Sequence, residues 1–334
     1  MTNIQLSHGG GGEETRTLIA DLFRRHLSNP ILDALEDAAI VNLSQGPVAF
    51  STDSFTVSPC FFKGGDIGKL AVAGTVNDLA VMGARPRFLS TGFLIEEGFA
   101  WADLERVVVS LEREAKAAGV SVVTGDTKVL PRGHLNGLLI NTSGIGEVVS
   151  PGLSAGSLVA EDAILVSGSV GDHGGCILAS REEMNVDLGI ESDCASLWGL
   201  IEAVLNTGAQ IHAMRDPTRG GLAGVLTEWA DQSGVEIEIL EDAVPVKDAV
   251  RGICELFGMD PTHLASEGRV VIAAAAADAD RVLDTLRAHP LGEDARIIGM
   301  VNSGGKGGRV ILRSSYHTRR IMEPPSGELL PRIC

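Results

Sequence analysis

Apolar runs of strand length alternate with segments of helical spacing along most of the chain, and turns rich in glycine and aspartate separate them. That alternation restricts the fold to α/β or α+β layers in which helices cover sheets. Leu18, Ile19, Leu22, Phe23 and Leu27 predict an amphipathic helix over 15–27, after a flexible glycine segment at 7–12. A strand over 47–52 is expected to end in Thr52-Asp53-Ser54, and 67–82 reads as an alanine-rich helix entered through Gly64-Gly65-Asp66. Leu104, Val107, Val108, Leu111, Ala115 and Ala118 line one face of another helix that stops at Gly119. Strand 120–123 is predicted to stop at Thr124-Gly125-Asp126-Thr127-Lys128, and 137–147 is a further strand.

With 334 residues the chain can build two domains of about 150 residues, each with its own core. The small, polar stretch at 150–160 marks the expected boundary, giving domains 1–153 and 154–313 and a mobile tail 314–334. Within the second domain the pattern predicts a strand at 163–167, a glycine turn at 171–175, a helix at 197–205 and a loop at 215–221 opening a helix over 222–231. Strand 235–240, helix 247–257, strand 269–275, helix 278–288 and strands near Ile297 and Val310 follow, the last two joined by a glycine-rich hairpin turn at 303–308. Beyond Arg313 the pattern fades. Pro324, Pro325, Gly327 and Pro331 keep that segment out of helix and central strand, so it reads as an extended arm outside any core, reaching up to about 40 Å.

The balance of 27 basic against 44 acidic residues, a net charge of −17, argues against nucleic acid and against an anionic membrane as partners. No apolar run is long enough to cross a bilayer and the first residues carry no signal-peptide core, so the expected location is cytoplasmic. Five scattered cysteines without CxxC or HExxH support neither a disulfide framework nor a zinc site.

Asp53, Asp66, Asp78, Asp126, Asp172 and Asp216 fall at predicted strand ends or helix starts, where α/β proteins gather phosphorylated ligands and where carboxylates can hold Mg²⁺ on a polyphosphate. Each taken singly also reads as a helix cap. The run Gly64 to Lys69 is not a P-loop, because its spacing is short and Leu70 stands where a hydroxyl should bind metal. Lys128, His134 and Glu267 sit in expected loops and could move protons if burial shifted their pKa; solvated loop charges are the plainer reading. Cys334, at the tip of the proline-stiffened arm, reads equally as the carrier of a small group on sulfur or as an accident of composition.

Ser51-Thr52-Asp53-Ser54, Gly74-Thr75-Val76-Asn77-Asp78-Leu79-Ala80, Thr124-Gly125-Asp126-Thr127-Lys128-Val129, Gly171-Asp172-His173-Gly174, Thr218-Arg219-Gly220-Gly221 and Pro331-Arg332-Ile333-Cys334 together resemble the HypE carbamoyl dehydratase family of nickel–iron hydrogenase maturation, nearly end to end. The family lies in the aminoimidazole-ribonucleotide-synthetase-like (PurM-like) superfamily. The resemblance implies two PurM-like domains, a homodimer built through the N-terminal domains, and ATP with Mg²⁺ in an acidic cleft. It implies that a carbamoyltransferase of the HypF type loads Cys334, that ATP-dependent dehydration converts the carbamoyl group to a thiocyanate, and that the cyanide passes to iron on a HypC–HypD type complex. By the same resemblance Asp53, Asp78, Asp126 and Asp216 hold Mg–ATP, Thr127 joins them at the nucleotide, and Lys128, His134 and Glu267 line the catalytic pocket. Asp66 and Asp172 receive no role. Gly10 and Gly11 depart from relatives that often place a serine among these glycines. The competing expectations are a small-molecule kinase or synthetase of the same fold, and a non-catalytic carrier scaffold.

Overall fold

Period-two burial along three of its four strands builds the first sheet. The structure is a computed structural model and describes residues 3–10, 12–34, 38–181, 189–302, 307–324 and 333–334. After a 3₁₀ turn at Leu6–Gly9, α1 (Glu13–Leu18) runs through a π-helical stretch, Ile19–Arg24, into α2 (Arg25–Leu27), burying Leu18, Leu22, Phe23 and Leu27. The elements that follow are β1 (Val48–Phe55), the short pair β2 (Phe61–Phe62) and β3 (Gly65–Asp66), α3 (Ile67–Val81), β4 (Ala84–Glu96), α4 (Trp101–Ala118), β5 (Ser121–Leu130) and β6 (Leu138–Val148). The sheet order is β1-β6-β4-β5, with only β4 and β5 parallel. Asp66 starts α3 by accepting hydrogen bonds from Gly68 N and Lys69 N, a helix cap. Nearly every residue of α3 is buried, because the helix lies between the sheet, α4 and elements of the second unit.

The second unit contains β7 (Ala163–Val166), α5 (Asp172–Ala179), α6 (Trp198–Leu205), β8 (Ile211–Arg215), α7 (Gly221–Ser233), β9 (Glu236–Leu240), α8 (Asp248–Phe257), β10 (Val271–Ala274), α9 (Ala279–Arg287), β11 (Arg296–Asn302), β12 (Arg309–Arg313) and β13 (Arg319–Ile321). Its sheet runs β13-β12-β9-β11-β7-β10-β8, and only β12 and β9 are parallel. One apolar cluster reaches across both units; a second lies between α7 and the large sheet.

Several expectations from the sequence change. β5 does not stop at Val123: parallel pairing with β4, out to Glu96 opposite Leu130, carries Asp126, Thr127 and Lys128 inside the strand. Asp53 and Ser54 likewise lie within β1, and Asp78 falls in the last turn of α3 rather than at an element's start. Residues 172–175 open α5 instead of forming a turn. No hairpin joins β11 to β12, because β9 lies between them; 303–306 are outside the described residues. β8 and β13 carried no sequence signal. The arm outside any core is also corrected: Ile333 is 7% exposed and belongs to the main apolar cluster, with Cys334 half-buried beside it. Residues 325–332 of that arm lie outside the described residues.

Candidate active site

Three aspartates from three elements share one electrostatic neighbourhood. On β1, Ser51 and Asp53 are two apart and so point to the same side, and Ser51 Oγ donates to Asp78 Oδ2 of α3 at 2.6 Å. Asp216 follows β8 immediately. Burial raises the pKa of Asp216 to about 7, and the charges of Asp78 and then Asp53 add to it. Asp78 is raised by burial and by Asp53, against the hydrogen bond from Ser51. Asp53 is raised by burial, with Arg219 opposing. Among the described residues no group of three His, Cys, Asp or Glu side chains is arranged to hold a metal by itself. Carboxylates of which Asp53 raises the pKa of Asp78, and both raise that of Asp216, nevertheless form a donor set short of positive charge, and a divalent cation completing its shell with phosphate oxygens fits them.

Glu267 lies in the same field and is 1% exposed. Burial first, then Asp216, Asp193, Asp53 and Asp78, push its pKa well above the usual carboxylate range. Its Oε1 is buried without a hydrogen-bond partner. The backbone around it is held firmly: Glu267 N donates to Asp193 Oδ1 at 3.1 Å, and Asn77 Nδ2 donates to Glu267 O at 3.2 Å and to Ala195 O at 3.1 Å. Only glycine fits at 268, where a Cβ would stand 1.8 Å from Asp193 O. Behind this loop Arg269 lies 3.6 Å from Asp193 and 3.7 Å from Asp172, and Lys247 Nζ is 2.7 Å from Asp172, so the buried aspartates there are offset by cations.

Cys334 faces this cluster. Its carbonyl accepts from Thr56 N at 2.9 Å and from Thr56 Oγ1 at 3.1 Å. Burial, and next the charge of Glu267, push its thiol up to about 12, with Arg219 opposing. Sulfur held here is therefore a thiol at neutral pH and a poor nucleophile.

The other predicted residues lie elsewhere. One cross-strand row is Asp53-Thr142-Thr91-Gly125, and Thr142 Oγ1 donates to Ala71 O of α3, so this row faces the helices. The neighbouring row, Ser54-Asn141-Gly92-Asp126, faces the opposite way. Asp126 and Lys128 are thus exposed on the uncovered side of the sheet, and His134 is exposed in the loop between β5 and β6. Thr127 and Asp126 help line a cleft of about 240 Å³ with Thr15, Phe23, Arg24 and Phe93. Within one chain, then, Asp53, Asp78, Asp216, Glu267 and Cys334 come together, and Asp126, Thr127, Lys128 and His134 do not join them. Asp66 is the cap of α3, and Asp172 belongs to the ion pairs behind Glu267. Asn77, Thr56, Arg219 and His173 escaped the sequence reading as site residues, although Asn77, His173 and Arg219 stand inside the quoted motifs; nothing in the sequence marks Asp193.

Residues 35–148 match the N-terminal domain, and residues 159–311 the C-terminal domain, of the AIR synthase related protein family. The chain is 47% identical to carbamoyl dehydratase HypE of Escherichia coli strain K12, covering 100% of both sequences. It is similar to the crystal structure of hydrogenase maturation protein HypE in complex with ATP, with a TM-score of 0.95 at 48% identity over 99% of each chain. A crystal structure of a HypE–HypF complex superposes with a TM-score of 0.80 at 45% identity, over 92% of this chain and 99% of that one.

Proposed function

Since the chain belongs to the HypE family of carbamoyl dehydratases, which serve hydrogenase maturation, we propose that its dehydration chemistry takes place on Cys334 docked beside Glu267. The activity is the ATP-dependent dehydration of an S-carbamoyl group to an S-thiocyanate, R–S–C(=O)–NH₂ becoming R–S–C≡N with loss of water. The observation that carries the residue assignment is the meeting of Cys334, Glu267 and three aspartates drawn from widely separated parts of the chain.

The geometry supports the following roles. Asp53, Asp78 and Asp216 are the residues that would hold Mg²⁺, and Asp126 and Thr127, in the cleft at the β5 edge of the sheet, are assigned to the nucleotide. When bound, Mg–ATP supplies the phosphoryl group that turns the amide oxygen into a leaving group and the positive charge that the aspartates lack. One amide N–H proton is lost as the oxygen is phosphorylated, and Glu267 takes the remaining one onto its carboxylate as the C–O bond breaks, phosphate leaves and the C≡N bond forms. Burial of Glu267 and of Ile333 keeps bulk water from an activated amide that would otherwise hydrolyse.

Docking suppresses thiolate formation, so the carbamoyl group is loaded onto Cys334 while the sulfur is outside the pocket, by a HypF-type partner. Delivery of cyanide to a HypC–HypD type iron complex requires the same exit. Homodimerisation is assigned to the uncovered sheet face, where Val48 is 49% and Phe50 68% exposed and where Phe50, Ile145 and Phe88 form one cross-strand row. A second copy packed there would enclose Asp126 and Lys128. Among the described residues no helix is long and apolar enough to cross a membrane, in keeping with a cytoplasmic role.

The test uses carbamoylated protein, Mg–ATP and mass spectrometry of the peptide ending in Cys334. Loss of one water from that peptide is the expected result. An unchanged peptide beside turnover of a free metabolite would instead indicate a small-molecule kinase, and no phosphate release at all would indicate a carrier scaffold.

A further inference from the structure

Two contacts hold the residue before Cys334, and neither belongs to the catalytic groups. His173, the second residue of α5, is fully buried, and its Nε2 lies 2.7 Å from Ile333 O while its Nδ1 lies 2.8 Å from Ser192 Oγ. A carbonyl only accepts, so Nε2 carries a proton and donates it. Ser192 Oγ already accepts from Cys194 N at 3.1 Å, which leaves its own hydroxyl proton for Nδ1. The imidazole is thereby fixed as one neutral tautomer, and the edge contact with Phe62, 5.4 Å between ring centroids, restrains its orientation. The Ile333 side chain packs where α5 has no side chain in the way: a Cβ on Gly174 would stand 3.3 Å from Ile333 Cδ1 and 2.9 Å from Leu264 Cβ. Thr56 grips the next carbonyl, that of Cys334 itself.

We propose that His173 and the Ile333 seat form a latch that sets the register of the arm and so presents the Cys334 sulfur to Glu267 at one fixed depth. His173 acts through Ile333 and is a positioning residue. The inference rests on the reading that Cys334 is the tethered substrate, and it adds which residues decide where that substrate stops.

The experiment measures two quantities on the full chain: the rate of Cys334 alkylation by iodoacetamide, resolved by peptide so that Cys60 is counted separately, and the single-turnover rate of dehydration of the carbamoylated protein with Mg–ATP. His173→Phe keeps the ring volume and loses the donor. It is expected to raise alkylation and lower dehydration by up to about tenfold each, the scale of one buried hydrogen bond. His173→Gln, whose amide N–H reaches a similar place, should recover much of both rates; a merely structural role would leave that pair of variants alike. Ile333→Ala, on the arm and outside α5, is expected to move both rates the same way and decides the matter if His173→Phe fails to fold. Unchanged alkylation in Ile333→Ala and in folded His173→Phe would overturn the latch. Altered alkylation in a protein whose wild type never dehydrates its carbamoyl group would support the latch while removing the proposed function.

Discussion

Replacing Cys334 with Ala is expected to abolish thiocyanate formation completely while nucleotide binding persists. No other thiol can take its place. Cys176, Cys194 and Cys254 are buried, and burial raises the pKa of each, that of Cys254 to about 11. Cys60 is half-buried beside Asp103, which with burial raises its thiol too. The residues assigned to Mg–ATP belong to β1, α3, β5 and the turn after β8, none of which is built on the arm. Because Cys334 is only half-buried, losing its sulfur removes little packed apolar surface, a cost below about 1 kcal/mol. Peptide mass spectrometry, a nucleotide-binding titration and a thermal melt together check this. A thiocyanate found on another cysteine would contradict it.

Glu267→Gln is expected to slow dehydration by about 10²–10⁴, the usual scale for losing a positioned base, and to leave ATP affinity within a few-fold. The amide keeps the shape of the side chain and cannot take a proton from the carbamoyl nitrogen. Stability should move in the opposite direction to activity. The folded protein raises the pKa of Glu267 well above the ordinary 4.5. Below pH 4.5 the carboxyl is protonated in both states, and as pH rises from there the folded state must either retain a proton that the unfolded chain releases or hold a buried charge. The carboxyl therefore costs stability increasingly toward neutral pH. Gln removes that cost, so the variant's advantage in a melt should be present at neutral pH and shrink in acid. A near-normal single-turnover rate would remove Glu267 from the mechanism, and an advantage largest in acid would contradict its burial as a disfavoured charge.

The order of strands and helices was readable because helices such as α4 and α9 show a clear apolar face and the buried strands are short continuous apolar runs. What sequence alone missed came from partners distant along the chain. β5 extends past Val123 only because β4 lies beside it, and that extension puts Asp126 and Asp53 on opposite sides of one sheet although both stand next to a serine or threonine in similar motifs. Ile333 is separated from Leu329 and Leu330 by Pro331 and Arg332, which breaks any apolar period that could predict a seat, and its burial depends on the space beside Gly174 and Leu264. Asp53, Asp78, Asp216 and Glu267 were each nameable as carboxylates near turns. That their fields overlap, and that Asp126 stands apart, follows from the register of β1, β6 and β4 and from the placement of α3 between the two units.

The decisive measurement places a heavy-oxygen label in the carbamoyl group on Cys334, adds Mg–ATP and follows the label. The docked sulfur, the buried base and a phosphorylated amide oxygen together require the label to leave in inorganic phosphate while the peptide becomes a thiocyanate. Unlabelled phosphate, with the label retained on the peptide or released to bulk water, would contradict that account.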